Sequence, residues 1–274
     1  MKKMYFLGLI LLSQFALSQI WVKTLDDAKK MAKATNKFIL IDFNASWCQP
    51  CKMMESDFFY NQKYKENLDK FIAVSIDIDY NKDIATFYNV SSIPNVKVVD
   101  VQGNVIHEVR GYNGAENSSE EFEGYPASSE NLYETLAFKD LKKPTDEELM
   151  NLATSYQVLL QKSKKVAKQR FATLSSSTFT KCSKNTKDNS IKEIAELGKF
   201  FNLAHTNSGS KVIKGLDANK ISEANRSYAY YILAKSNYEE NKDDEGNKYV
   251  AEIEKINDQQ WVPAAISLRN KFTK

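Results

Sequence analysis

The chain has 274 residues and carries 38 lysines and arginines against 35 aspartates and glutamates, a formal net charge of +3. So balanced a charge argues against a nucleic-acid partner, because surfaces that bind nucleic acids are strongly basic. The length is sufficient for two domains, and the three cysteines allow one disulfide and one remaining thiol.

The first eighteen residues have the pattern of a cleavable secretory signal. Two lysines precede an apolar run over residues 4–12, and the small residues around Ala16 predict cleavage at about Ser18. The run is shorter than the roughly 20 residues of a membrane span. We therefore expect an exported protein, periplasmic or secreted, in a compartment that permits disulfides, with no membrane span in the mature chain.

Helical and strand patterns alternate over residues 19–143, which we assign to one domain. Short connections between them predict an α/β fold with a mixed central sheet and helices on both faces. Apolar runs predict strands at 38–43, 71–78, 96–101 and 104–110. Amphipathic patterns predict helices at 24–33, directly after the two cysteines at 48 and 51, at 83–88, and from Ser129 through Leu132, Leu136 and Leu141.

Directly after the first predicted strand, residues 47–52 have the sequence Trp-Cys-Gln-Pro-Cys-Lys. Cys48 and Cys51 are spaced to form a small disulfide ring, and Cys48 stands where a helix begins. Unpaired N–H groups and the helix dipole at that position favour a thiolate, and lower a thiol pKa from about 8.5 toward roughly 7. A thiolate with a second thiol beside it is the chemistry of thiol–disulfide exchange.

Two other interpretations of the pair are a zinc site and a purely structural disulfide. A structural zinc site needs four ligands, and the remaining candidates, Cys182, His107 and His205, are distant in sequence from the pair and from one another. A structural disulfide does not require a strand, a tryptophan and a helix start around it. We therefore favour a redox pair and expect neither a metal nor a cofactor.

Residues 20–142 resemble the thioredoxin family. The segment 41–52 is similar to that family's strand, motif and helix, and residues 88–94 are similar to the segment that ends in its cis-proline. Trp21, followed by Asp27-Ala28 and Lys37, resembles an exported branch of the superfamily. The resemblance implies a thioredoxin fold and a thiol–disulfide oxidoreductase.

The resemblance also implies roles for individual residues. Cys48 would be the exposed, attacking thiolate and Cys51 the more buried, resolving thiol. Asp42, a buried acid with a raised pKa, would accept the proton of Cys51. Further site residues on the same basis are Pro94 as the cis-proline, Ile93 as the residue whose backbone pairs with substrate, Trp47 packed over the cysteines, and Gln49 and Pro50 between them.

Three features depart from the family's pattern. Gln49 stands where the family has a glycine, which changes the dipeptide that tunes redox potential. Ser75 stands where the family has a lysine beside its buried aspartate, so we expect a slower proton relay or one that relies on water. A glutamate-rich insertion at about 113–127 has the composition of a disordered, solvated loop.

The pattern changes from Pro144 onward. Residues 145–148 form a capping box, and apolar stripes at helical spacing follow, which predicts an all-helical domain of about five helices over residues 144–274. The polar run 175–185 is predicted to be a loop that carries Cys182 as an incidental thiol. Residues 143–274 have a net charge of +6, against −5 for residues 19–142, which leaves two interpretations: two solvated surfaces of opposite sign, or a weak attraction between the halves.

The sequence thus predicts an exported thiol–disulfide oxidoreductase that reduces or exchanges protein disulfides. Its helical tail would select substrates or partners, and a membrane electron donor or an oxidising protein would complete the cycle. The alternative is a non-catalytic binding or adaptor module with a structural disulfide.

Overall fold

A computed structural model describes residues 21–136 and 144–272 of the chain. The predicted signal at residues 1–18, the helical position Leu141 and residue 143 at the predicted domain boundary lie outside these described residues. Within the described part, no helix combines the length and apolar character that crossing a membrane requires.

Among the described residues, five strands form one mixed sheet, in the spatial order β1-β3-β2-β4-β5. The first three strands in this order are parallel, and β4 and β5 are antiparallel to their neighbours. The mixed α/β sheet expected from the sequence is confirmed, although the two-residue strand β1 was not predicted. The strands are β1 (Trp21–Val22), β2 (Phe38–Asn44), β3 (Phe71–Asp77), β4 (Asn95–Val99) and β5 (Val105–Arg110).

Within residues 21–136, six α-helices accompany the sheet. The side chain of Thr24 caps α1 by accepting a hydrogen bond from the N–H of Asp27, and Asn36 ends the helix in the left-handed conformation. Gly103, at φ +87°, forms the turn between β4 and β5. The helices are α1 (Leu25–Thr35), α2 (Gln49–Met54, continued by a π-helical turn over Glu55–Phe59), α3 (Lys65–Leu68), α4 (Lys82–Phe87), α5 (Ala115–Phe122) and α6 (Leu132–Leu136).

One face of the sheet, here called the α1 face, is covered by helices from the first half of the chain. Its core contains Ile39, Ile41 and Val74 from the strands, packed with Ala28 and Ala32 of α1. Alternate residues of a strand point to opposite faces, so the neighbouring strand residues belong to the other side.

The opposite face, here called the tail face, holds Phe38, Leu40 and Phe71. It is covered by α2, α5 and α6, and also by two helices from beyond residue 144. Those helices contribute Leu152, Tyr156, Leu159, Leu160 and Phe171 to the same hydrophobic cluster. The core therefore continues across the 143/144 boundary inferred from sequence.

Seven helices follow residue 144 in the described part of the chain, where the sequence pattern indicated about five. The predicted capping box is present, with reciprocal hydrogen bonds between Thr145 and Glu148. The helices are α7 (Asp146–Lys162), α8 (Lys165–Asn185), α9 (Asn189–Ala204), α10 (Gly209–Gly215), α11 (Glu223–Glu239), α12 (Asp243–Ile256) and α13 (Trp261–Phe272).

The glutamate-rich insertion is not a disordered loop, which corrects the prediction for residues 113–127. It contains α5, and it buries Phe122 and Tyr125 in the tail-face core. One of its glutamates, Glu123, pairs with Lys165 at the start of α8, and Glu130, just after the insertion, pairs with Lys162 at the end of α7 at 2.8 Å. Two aromatic anchors outweigh the polar composition from which disorder was inferred.

The predicted loop at 175–185 is also wrong, because these residues complete α8. Thr178 and Thr180 donate to carbonyl oxygens four residues earlier, each at 2.8 Å, and Ser177 donates to the Leu174 carbonyl oxygen three residues earlier. Phe179 and Cys182 share the buried side of the helix. A serine- and threonine-rich sequence can thus satisfy its hydroxyls within a helix when its apolar residues face a core.

At Gly124 the backbone of the insertion contacts the backbone at the start of α8. The Gly124 carbonyl accepts from the N–H of Lys164 at 2.9 Å, and a Cβ at this position would lie 2.1 Å from the Lys164 carbonyl oxygen. A glycine is therefore required for the two backbones to meet here.

Candidate active site

Cys48 and Cys51 form a disulfide at the start of α2, directly after the carboxyl end of β2. Cys48 is the N-cap residue of the helix, and its Sγ accepts a hydrogen bond from the N–H of Cys51 at 3.2 Å. The sulfur predicted to attack is therefore the one that meets the unpaired N–H groups of the helix.

The expectation that Cys48 is exposed and Cys51 more buried is not met in the disulfide form. Cys48 is 3% exposed and Cys51 is 6% exposed. Both pack with Ala45, and Ile93 lies against this cluster. Ala45 and the partly buried side chains of Ile78 and Ile93 cover the two cysteines.

Ile93 and Pro94 are joined by a cis peptide bond, and they precede β4 directly. Pro94 is buried, and its carbonyl accepts from the N–H of Gly111 at 2.8 Å, which ties the loop to the end of β5. The fold thus brings the segment 93–94 next to the cysteines from a distant part of the sequence.

Trp47, Gln49 and Pro50 form the solvent-exposed rim of the motif. Trp47 is 65% exposed rather than part of the core, and its Nε1 donates to Asp79 at 2.8 Å. This hydrogen bond, rather than packing against the disulfide, holds the indole in place.

Asp42 lies beneath the motif at a cavity of about 160 Å³ that Cys51 also lines. Burial raises the pKa of Asp42 to about 7, with a smaller increase from the charge of Glu55, while a hydrogen bond from Asn44 acts in the opposite direction. The direction agrees with the expectation from sequence, and its physical cause is desolvation of the carboxylate.

Sequence reasoning missed two side chains that contact this acid or its partner. Asn44 Nδ2 donates to Asp42 Oδ2 at 2.8 Å and to Ser75 Oγ at 2.6 Å. Asn44 could have been found, since residues two apart on a strand share a face. The contact with Ser75 depends on the register that pairs Asp42 with Ser75 across β2 and β3.

Glu55 was also missed, because it lies four residues beyond Cys51 in a segment predicted only as a helix. It lines the same cavity, as do Lys52 and Tyr60. Burial, followed by the charge of Glu55, raises the pKa of Tyr60.

Cys182 lies outside this site, buried on α8 with its Sγ 3.7 Å from the Asp146 carbonyl oxygen. Burial raises the pKa of its thiol, which makes it a weak nucleophile. Among the described residues, no three histidine, cysteine, aspartate or glutamate side chains come together so as to hold a metal ion.

Comparison with known proteins places this site in a family. The family model for thioredoxin matches residues 20–123. Thioredoxin H4 of Arabidopsis thaliana is 32% identical over 96 residues, which are 35% of this chain and 75% of that protein. Thioredoxin-1 of Drosophila melanogaster is 37% identical over 75 residues, which are 27% of this chain and 67% of that protein.

Among solved structures, the C-terminal domain of Neisseria meningitidis DsbD in its reduced form is similar at 24% identity and a TM-score of 0.32. The similarity covers 36% of this chain and 88% of that domain. The helical tail lies beyond the matched family region. Because Thioredoxin H4, at 32% identity, is matched over 75% of its own length, the chain belongs to the thioredoxin family and is a thiol–disulfide oxidoreductase.

Proposed function

We propose that the protein is exported and reduces or exchanges disulfides of other proteins through Cys48 and Cys51. The observation that carries the proposal is the position of the pair, with Cys48 capping α2, the cis Ile93–Pro94 segment beside it, and Asp42 on the cavity that Cys51 lines. An attacking sulfur, a site for an extended substrate and a proton acceptor are thus close together.

In the reducing direction, the Cys48 thiolate attacks a substrate disulfide and forms a mixed disulfide, and one substrate sulfur leaves as a thiolate. The Cys51 thiol then gives its proton to Asp42 and attacks Cys48 Sγ. The bond to the substrate breaks, its electron pair stays on the second substrate sulfur, and Cys48–Cys51 closes. The substrate is reduced and the enzyme dithiol is oxidised.

A dithiol donor must then reduce the enzyme disulfide again. We propose a membrane electron donor for this step. Export is supported by the signal pattern at residues 1–18. The reducing direction is supported by the resemblance of the motif with Pro50 before Cys51 to that of reducing members of the family.

We further propose that the helical tail selects substrates or partners. Helices α7 and α8 pack on the sheet through the tail-face core, and α9 packs on α8 through Phe179 and Ala195. Beyond them, α10 to α13 form further clusters with α9 around Leu197, Ile232 and Val250. The surface of this outer part is therefore the part of the tail available to a partner.

Trapping tests the catalytic proposal. In Cys51→Ser, the mixed disulfide on Cys48 cannot be resolved, so substrate proteins should accumulate as adducts that thiols release. The matched control is Cys48→Ser with Cys51→Ser, which should trap nothing, and Cys182→Ser should trap as the parent does. Absence of adducts in the exported fraction would contradict the proposal, and an uncleaved N-terminus would contradict export.

A non-catalytic adaptor with a structural disulfide is the second candidate. The observation that favours it is the low exposure of both cysteines, 3% and 6%. A reduction potential below about −300 mV would support this adaptor role, whereas a value between about −270 and −120 mV would support catalysis.

A further inference from the structure

The buried acid of this site is held by a neutral side chain. Asn44 stands two residues beyond Asp42 on β2, so both side chains lie on the same face of the sheet. The amide of Asn44 donates to Asp42 Oδ2 at 2.8 Å and approaches the Asp42 carbonyl oxygen at 3.4 Å.

The second hydrogen of that amide is also used. Asn44 Nδ2 lies 2.6 Å from Ser75 Oγ, and Ser75 is the register partner of Asp42 on the adjacent strand. An amide anchored on one side by a hydroxyl can present its other N–H in only one direction. That direction is toward Oδ2 of Asp42.

The other groups around Asp42 do not replace this contact. The cavity is lined by Glu55, Tyr60, Lys52 and Cys51 from the α2 segment, by Asp77 from β3, and by Trp21 from β1. Of the charged groups, Glu55 acts to keep Asp42 protonated. In the described part of the chain, the hydrogen bonds to the Asp42 carboxylate come from Asn44 alone and reach Oδ2, which leaves Oδ1 to take up a proton.

We infer that Asn44 is a positioning residue that keeps Asp42 ionised and oriented as a proton acceptor, and that Ser75 anchors it. The inference rests on the proposed role of Asp42 in accepting the Cys51 proton. A neutral donor stabilises a carboxylate without adding a charge to the cavity. Asn44, anchored by Ser75, thus stabilises the ionised Asp42 through a hydrogen bond, as a neighbouring cation would do through its charge.

The experiment measures the rate of mixed-disulfide resolution against pH. The reduced full chain is mixed with a small disulfide-bonded protein in single turnover between pH 5 and 9. In Asn44→Ala the carboxylate loses a charged hydrogen bond, so the midpoint of the profile should rise by about one pH unit. Below the midpoint the rate should fall about tenfold, and at high pH it should return to the wild-type value.

Ser75→Ala tests the anchor separately and leaves Asn44 in place. It should move the midpoint in the same direction by less than Asn44→Ala does. Ser75→Thr keeps the hydroxyl, and it should restore the wild-type midpoint. If Asn44→Ala does not fold, the difference in midpoint between the two Ser75 variants decides the question.

A merely structural role would lower the rate by the same factor at every pH and leave the midpoint in place, and that result would overturn the inference. Asp42→Asn distinguishes this failure from failure of the proposed function. If Asp42→Asn abolishes the pH-dependent limb and the Asn44 and Ser75 variants do not move it, only the role of Asn44 is wrong. If Asp42→Asn keeps the limb, the proposed proton acceptor is wrong, and the inference falls with it.

Discussion

The two faces of the sheet are built from different parts of the chain. The α1 face is closed by residues before 102, with Ala28 and Ala32 of α1 packed on Ile39 and Ile41. The tail face is closed only when α7 and α8 arrive from beyond residue 144, where Phe171 contacts Phe38 with ring centroids 5.6 Å apart. The hydrophobic core on the tail face of the sheet is therefore completed by helices that lie outside the matched family region.

This difference gives the helical tail a structural role in the folding of the sheet as well as its proposed role in selecting partners. Its first two helices are part of the cover of the sheet, and α9 to α13 extend from them. A substrate-selecting surface on the outer helices would then be held in a defined position relative to the cysteines, since α8 packs on both the sheet and α9. The comparison between the faces can be tested by changes that affect one face and spare the other.

Truncation after residue 143 should have the largest effect. It removes five large side chains from the tail face, each contributing about 1.5–3 kcal/mol by burial. Their sum approaches the whole stability of a typical domain, about 5–15 kcal/mol. We expect the fragment to lose cooperative urea unfolding by circular dichroism, whereas a chain ending after Asn185, which keeps α7 and α8, should retain it. A 19–143 fragment that unfolds cooperatively would show that the tail face does not need α7 and α8 to fold.

Two phenylalanines on α8 offer a matched pair. Phe171 belongs to the tail-face core, and Phe179 packs within the tail against Ala153 and Ala195. Each change to alanine should cost about 3–5 kcal/mol in urea unfolding. Hydrogen exchange in β2 should rise in Phe171→Ala and stay at the wild-type level in Phe179→Ala. Equal exchange in both variants would contradict the assignment of Phe171 to the sheet.

Asp42 should make the tail face sensitive to pH. Its pKa is raised from 3.8 to about 7, so the folded state binds the proton more tightly than the unfolded state. The resulting stability is complete below pH 3.8 and is lost as pH rises through about 7, with an upper limit of about 4 kcal/mol. Asp42→Asn should therefore be the more stable protein at pH 8 and equal at pH 4, in unfolding of the oxidised forms.

The α1 face supplies the control for that measurement. Hydrogen bonds from Arg110 and Lys97 help to lower the pKa of Glu108 from 4.5 to about 2. Its contribution to stability is therefore present above pH 4.5 and lost only as pH falls toward 2. Glu108→Gln should leave the slope of stability between pH 5 and 8 unchanged, and a changed slope would show that Asp42 is not its source.

The ion pair between Glu130, just after the insertion, and Lys162 at the end of α7 should have the smallest effect. Lys162 and Glu130 are 52% and 29% exposed, and water and salt screen such a pair. A double-mutant cycle with Lys162→Gln and Glu130→Gln should give a coupling of about 0.5 kcal/mol that disappears in 1 M salt. A coupling above about 2 kcal/mol would mean that charge, rather than the aromatic core, joins the halves.

Local sequence was sufficient for much of this protein. Several features could be predicted from a few consecutive residues, because helices, strands and turns have short periods. They are the cysteine pair before a helix, the apolar run of β2, the hairpin at Gly103 and the capping box at Thr145. The burial of Asp42 and the direction of its pKa were expected from the resemblance of residues 41–52 to the thioredoxin family, not from the strand pattern alone.

Tertiary structure decided the rest, because the remaining features join residues that are distant in sequence. Only the sheet register brings Ser75 to Asn44, and only the packing of α8 on the sheet gives Phe171 a place in the redox core. The insertion and the 175–185 segment were misjudged by composition. A polar segment becomes ordered when a few apolar side chains, such as Phe122 and Phe179, are buried elsewhere in the fold, and that burial cannot be seen within the segment itself.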